Sequence, residues 1–267
     1  MIFEHSELEW PNLIRDLRPD ILISADWSGV VSLDRNSKMI QIANLDRVQS
    51  LAEAAIQSRV KTFITFGSQA ENGPINKPAE EVNYDRATTS YGQTKIELRK
   101  ILNEKFKQTE TRFVWGRIFS TYGALDNPNW LLPSLINSLH VGKSFSLTSG
   151  EQIWSYLHAY DFCLAIDCII RHNSIEGIVN IGNENTKTIR EFVSYVGNIM
   201  RKQSLLEFGN SEYRNDQVMV LQPKTTKLNS VGWKPTIEHT DGLGDLVNWH
   251  VKGECKFSFK NLYYVNN

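Results

Sequence analysis

Cysteine is scarce, with three in 267 residues: Cys163, Cys168 and Cys255. Their number and spacing exclude a disulfide framework and a four-ligand zinc site. Cys163 and Cys168 read instead as small hydrophobes in a helix core. Net charge is nearly absent: 29 Lys plus Arg against 30 Asp plus Glu leave −1. No global field therefore draws the chain to nucleic acid or an acidic bilayer, and an anionic ligand has to be met locally. Long apolar runs are missing as well. Those around residues 163–166 and 168–170 fall far short of the ~20 residues that cross a bilayer. The opening MIFEHSELEW has no apolar signal segment, so the expectation is a cytoplasmic protein. No repeat or low-complexity tract is present. The six histidines have no metal-ligand spacing with an acidic third ligand, and no metal is expected.

What is present is a chain that is 41% apolar and long enough for a sizeable core. Asp20 to Ala25 is a short apolar strand. Residues 37–58 place Ile40, Ala43, Val48, Leu51, Ala55 and Ile56 at helical spacing. Lys61 to Phe66 reads as a second strand, Thr89 to Phe106 as a helix and Thr111 to Trp115 as a third strand. Strands separated by helices of this length imply βαβ crossovers and a parallel sheet. Later come a helix near Trp130–Leu139, a strand pair near Phe145–Leu147 and Ile153–Leu157, and a helix from Tyr160 to Arg171. A buried strand at Gly177–Ile181 and helices at Ile189–Met200 and Asp241–His250 complete the reading. No linker-like stretch appears, so a second domain has to interleave with the first.

Tyr91-Gly-Gln-Thr-Lys95 puts a phenol and an ammonium one helical turn apart on one face. A cation within a few ångströms lowers a phenol's pKa by about 1 to 3 units, which would ready Tyr91 for acid–base work. With nine tyrosines in the chain, the spacing alone is not diagnostic; an ordinary exposed helix has it too. Ser68 lies just beyond the strand ending at Phe66, where the carboxyl ends of parallel strands face a ligand crevice. It can share a substrate oxygen with Tyr91, or it can be an ordinary turn serine.

Taken together, these residues resemble the extended short-chain dehydrogenase/reductases, the NAD-dependent epimerase/dehydratases of nucleotide-activated sugars. The likeness rests on Arg18-Pro19-Asp20 before the first strand, Asn44, Gly67-Ser68 through Gly73, Tyr91 with Lys95, and Arg117-Ile-Phe119-Ser120-Thr121-Tyr122-Gly123. It continues through Gly150 to Asp161, Asn180-Ile-Gly182, Tyr213-Arg214 and Gly232-Trp233-Lys-Pro235. The resemblance implies an α/β, Rossmann-like doubly wound parallel sheet lacking its first strands, with a smaller interleaved C-terminal substrate domain. The expected bounds are 1–122 and 153–184 for the dinucleotide-binding part, and 123–152 and 185–267 for the substrate part.

The same resemblance implies roles. Tyr91 would be the proton carrier at a sugar oxygen, Lys95 would lower its pKa and touch the nicotinamide ribose, and Ser68 would fix the substrate oxygen. Ala25, Asp26, Trp27 and Asn44 would join Tyr91 and Lys95 around NAD or NADP. Gln69, Ser120, Gln152, Trp154 and Arg214 would meet the nucleotide sugar, Trp154 either by stacking on a base or by filling core. A homodimer through helices 37–58 and 89–106 is expected, with no nucleic-acid or membrane partner.

Three departures narrow these expectations. Gln69-Ala70 stand where the family's dehydratases carry Asp-Glu, which argues against water elimination. Trp154-Ser155 replace Arg-Asp, and Ser120 replaces Asn. The stretch Gly150 to Ile153 with Phe208-Gly209 and Tyr213-Arg214 looks most like the 4-ketoreductases and epimerases of surface-polysaccharide sugars, CDP-abequose and paratose synthases included. Gly29 is the only glycine before Gly67, so the family's glycine-rich phosphate turn is not found. Two expectations follow: weaker cofactor binding, and a first strand left at the sheet edge. A non-catalytic binding or assembly module that kept the fold is the alternative reading.

Overall fold

The computed structural model describes residues 10–31, 34–214 and 217–257. In chain order its elements begin α1 (Trp10–Leu17), β1 (Ile21–Ser24), α2 (Lys38–Gln57), β2 (Thr62–Ser68), α3 (Ser90–Phe106), β3 (Arg112–Ile118), β4 (Ser120–Tyr122), α4 (Leu131–His140), β5 (Phe145–Leu147), β6 (Ile153–Trp154) and β7 (Tyr156–His158). They continue α5 (Ala159–Arg171), β8 (Gly177–Ile181), β9 (Lys187–Thr188), α6 (Ile189–Met200), β10 (Leu206–Phe208), β11 (Val220–Leu221), α7 (Thr226–Ser230) and α8 (His239–Lys252). The chain divides into two compact units.

The first unit comprises the described residues through Gly73, with Glu81–Ile118 and Ile169–Asn180. Its sheet has the order β1-β2-β3-β8, and β1, β2 and β3 run parallel, Ile21 opposite Thr62 and Ser68 opposite Ile118. β2 is TFITFGS, β-branched and aromatic, and Thr62–Thr65 are all buried. Both faces are covered, as a parallel strand requires. β1 is the edge strand among the described residues. Phe63, Phe106 and Phe113 stack with centroids 5.1 and 5.0 Å apart, each pair adding about 0.5–1.5 kcal/mol to its area burial. Leu45, Val48, Ala52 and Ala55 of α2, with Leu98 and Leu102 of α3, close this core. The helix Trp10–Leu17 carries Ile14 into the same cluster.

The second unit comprises Pro74–Glu80, Phe119–Cys168 and the described residues from Ile181 on. Its core joins Leu132, Leu135, Ile136 and Leu139 of α4 to Phe192, Val193 and Val196 of α6 and to Leu243 and Leu246 of α8. Here the sequence reading needs two corrections. Phe145–Leu147 and Ile153–Leu157 do not pair with each other. β5 pairs parallel with β10, β6 lies between β11 and β9, and β7 pairs parallel with β4. Ser155 separates β6 from β7 because its hydroxyl exchanges hydrogen bonds with Asn183, donating to the carbonyl at 2.8 Å and accepting from the amide at 3.0 Å. Cys163 is exposed and Cys168 half-buried, so neither fills a core. The apolar face of α5 is instead set by Ala165 and Ile169.

Candidate active site

β2 ends at Ser68, which remains extended and begins a 3-10 turn, Gln69–Asn72. The Ser68 hydroxyl accepts from the Ala70 amide at 3.2 Å, while the Ser68 amide donates to Oε1 of Glu71 at 2.8 Å. This reciprocal cap satisfies amides that the strand end would otherwise leave bare. Glu71 is fully buried, and its neutralising partners are also withdrawn from solvent, Arg99 being 1% and Arg117 0% exposed. Oε1 also accepts from the Trp115 indole N–H at 3.0 Å, and Oε2 faces Arg99 at 3.2 Å and Arg117 at 3.5 Å. Arg99 completes its fork on Asn83 and Asp85. A buried carboxylate persists only with such pairing. Gly67 is required beside it, since a Cβ there would run into the Trp115 indole nitrogen and Oε1 of Glu71.

Thr89 caps α3 by accepting from the Gly92 amide at 3.2 Å. At the start of this helix the Tyr91 phenol faces the Ser68 hydroxyl. Burial raises the Tyr91 pKa, and the Ser68 hydroxyl and the Arg35 charge only partly offset this. Lys95 points its ammonium elsewhere. Nζ donates to the Phe66 carbonyl at 2.7 Å, sits 3.3 Å from the centroid of the Trp27 ring and lies 5.8 Å from that of Tyr91. Burial lowers its pKa to about 7, opposed by Glu71 and Asp26. The expectation that Lys95 makes Tyr91 acidic is therefore corrected: desolvation dominates the phenol, and the cation that assists it belongs to Arg35.

The segment after β1 is fixed from α2. Asn44 accepts from the Ser28 amide at 3.0 Å and donates to the Ser28 carbonyl at 2.8 Å, which occupies its amide on both sides. Gln41 accepts from the Trp27 indole N–H at 3.0 Å and donates to the Gly29 carbonyl at 2.9 Å. Asp26 pairs with Arg47 at 2.6 Å, and Ala25 is exposed. This bracing sets the Trp27 ring edge-on to Tyr91, centroids 6.1 Å apart.

Ser68, Tyr91, Lys95 and Trp27 thus converge in the first unit, with Gln69 half-buried on the adjoining turn. Ser120, Gln152, Trp154 and Arg214 belong to the second. The Trp154 indole N–H donates to the Ser120 hydroxyl at 2.8 Å, and its ring packs against that unit's core. Gln152 is buried, donating weakly to Thr148 at 3.4 Å, and among the described residues its Oε1 has no hydrogen-bond partner. Arg214 is exposed. The sequence reading missed Arg35, Glu71 and Arg99. An acidic residue three places after a strand-end serine signals a capping box, and that spacing could have revealed Glu71. Among the described residues no cluster of acidic, His or Cys side chains could hold a metal, and no helix is long and apolar enough to cross a membrane.

Known proteins share this architecture. The UDP-glucose 4-epimerase of Thermus thermophilus, solved with NAD, superimposes with a TM-score of 0.77 at 19% identity, covering 91% of this chain and 81% of its own. That of Thermotoga maritima, solved with UDP-glucose, gives 0.79 at 17% identity, covering 94% and 85%. These likenesses establish an α/β, Rossmann-like fold with a parallel sheet. In sequence, the CDP-abequose synthase of Salmonella typhimurium is 25% identical over 251 residues, 89% of this chain and 81% of its own. A low-salt glycan biosynthesis protein of Haloferax volcanii is 20% identical over 258 residues, 93% of this chain and 82% of its own. The family match itself runs over residues 5–182, through the Ser68 turn and the Tyr91–Lys95 helix alike, and the chain belongs to the NAD dependent epimerase/dehydratase family.

Proposed function

We propose that this chain is an oxidoreductase or epimerase of a nucleotide-activated sugar, using NAD or NADP, with Tyr91 moving the proton. The observation that carries the reading is the Tyr91 phenol facing the Ser68 hydroxyl at the carboxyl end of β2, where open parallel sheets receive ligands. A bound nicotinamide supplies the hydride chemistry that side chains lack. The donor set fits its ribose: an ammonium has three N–H donors, and Lys95 uses one on Phe66 while Trp27 offers only a ring face. The Ser24 hydroxyl, at the end of β1, is buried and has no hydrogen-bond partner among the described residues. Ala25, Asp26 and Trp27 would border the same group, and Asn44 would act by fixing their loop.

Because burial keeps Tyr91 protonated at neutral pH, the resting site offers a proton donor, which suits reduction of a sugar ketone. The phenol proton passes to the carbonyl oxygen as the carbon is reduced, and Ser68 holds that oxygen. Water elimination needs an additional acid and base. Gln69 and Ala70 provide neither, and Glu71 is spent on Ser68, Trp115, Arg99 and Arg117. Ser120, Gln152 with its spare Oε1, Trp154 and Arg214 are the side chains proposed to meet the nucleotide sugar, as Gln69 is from the turn. The Haloferax and Salmonella relatives support a role in glycan-sugar biosynthesis, and the near-neutral charge and lack of an apolar signal segment in the sequence support a cytoplasmic one. Met39 and Ile42, 80% and 55% exposed on one face of α2, support a homodimer through that helix. Mixing the chain with NADH or NADPH and a panel of 4-keto nucleotide sugars should consume the reduced nicotinamide with at least one of them, or, with NAD and a panel of nucleotide sugars, should interconvert a pair of epimers; neither reaction with any sugar would reject the reading.

A further inference from the structure

Arg35 lies in the 3-10 turn Asp34–Asn36, and its guanidinium carbon sits over the Tyr91 ring, 5.0 Å from the centroid. The turn is braced to keep it there. Oδ1 of Asn36 accepts at 3.2 Å from the amide of Ser90, the neighbour of Tyr91. Gln41 donates to the Asp34 carbonyl at 3.1 Å, and the Ser37 amide donates to the same carbonyl at 3.0 Å. Among the described residues Nε of Arg35 has no hydrogen-bond partner. A half-buried cation is thus held against a phenol, and among the described residues no carboxylate forms an ion pair with it. A phenol that has lost its proton would supply a counter-charge.

We propose that Arg35 is a positioning residue that acts through Tyr91: lying over the ring face, its guanidinium stabilises the negative charge that Tyr91 carries once its proton has passed to the substrate. The assignment rests on Tyr91 being the proton carrier. The charged and titratable groups facing the phenol are Ser68 at the end of β2, Glu71 on the following turn, Lys95 on α3 itself and Arg35. Glu71 opposes ionisation, though Arg99 and Arg117 already neutralise it. The Lys95 ammonium is farther from the ring, at 5.8 Å, and is engaged by Phe66 and Trp27. Arg35 is the nearer cation, and its planar guanidinium lies over the ring face. The negative face of a phenolate ring attracts a cation more strongly than that of a phenol.

The test is an ultraviolet titration of the Tyr91 phenol in the protein alone, using Tyr91→Phe as the blank. Arg35→Met should move the midpoint up by about one pH unit, a tenfold change in the ionisation constant. Arg35→Lys should restore most of that shift, which a merely structural role would not predict. Arg35→Gln replaces the methionine variant if the latter does not fold. An Arg35→Met curve that superimposes on the wild type up to the pH at which the fold is lost would overturn the proposal, as would a lysine variant behaving like methionine. No cofactor or sugar enters this experiment. A clear shift in a protein without hydride-transfer activity would therefore keep Arg35's role and reject the proposed function instead.

Discussion

The amide of Ser68 donates to Oε1 of Glu71 at 2.8 Å, so the residue whose hydroxyl faces the Tyr91 phenol is held by a carboxylate with no solvent exposure. Stability and site geometry are coupled at that carboxylate. It pairs with two buried arginines on α3 and β3, Arg99 pairing with Asp85 as well, while fixing the strand end where the proposed chemistry takes place.

Glu71→Gln should therefore cost about 3 kcal/mol or more, because it leaves Arg99 and Arg117 short of a counter-charge in the interior. Urea unfolding checks it. A loss under about 1 kcal/mol, the scale of an exposed ion pair, would show that the cluster is not a closed charge network.

Gly67→Ala should be felt at the same place. The new methyl group meets the Trp115 indole nitrogen and Oε1 of Glu71, neither of which can retreat without giving up their mutual bond. An overpacking cost of about 1–3 kcal/mol is expected, together with reduced turnover as Ser68 is displaced. Unchanged stability and activity would contradict the close packing described.

Stability should depend on pH through Lys95. Its pKa is about 7 in the folded chain and 10.5 when free, so between these values the unfolded chain binds more protons. Lys95 then lowers stability by its full amount below about pH 7, and the penalty fades as pH rises toward 10.5. Lys95→Met should be more stable than the wild type near neutrality, and the gap should narrow at higher pH. Unfolding free energies of both proteins measured across this range decide the point; parallel curves would contradict it.

Legibility in the sequence followed the range of the interactions. Tyr91 and Lys95 were readable because one helical turn joins them, and β2 because its apolar run is uninterrupted. The strands of the second unit were not readable. Several are only two or three residues long, and their partners lie far along the chain, as with Phe145 and Leu206. The direction in which Lys95 points depends on Trp27 and Phe66, which spacing alone does not bring near it. The Asn36–Ser90 bond that sets Arg35 over Tyr91 closes 54 residues, and Arg99 and Arg117 reach Glu71 across 28 and 46. No local pattern encodes contacts of that length.

The central claim is that the Tyr91 hydroxyl carries the proton. It is tested most directly by comparing Tyr91→Phe with the wild type in the consumption of NADH or NADPH with a nucleotide sugar that the wild type turns over. The account predicts a rate lower by about 10²- to 10⁴-fold, with the unfolding transition unchanged. Equal rates in the two proteins would contradict it.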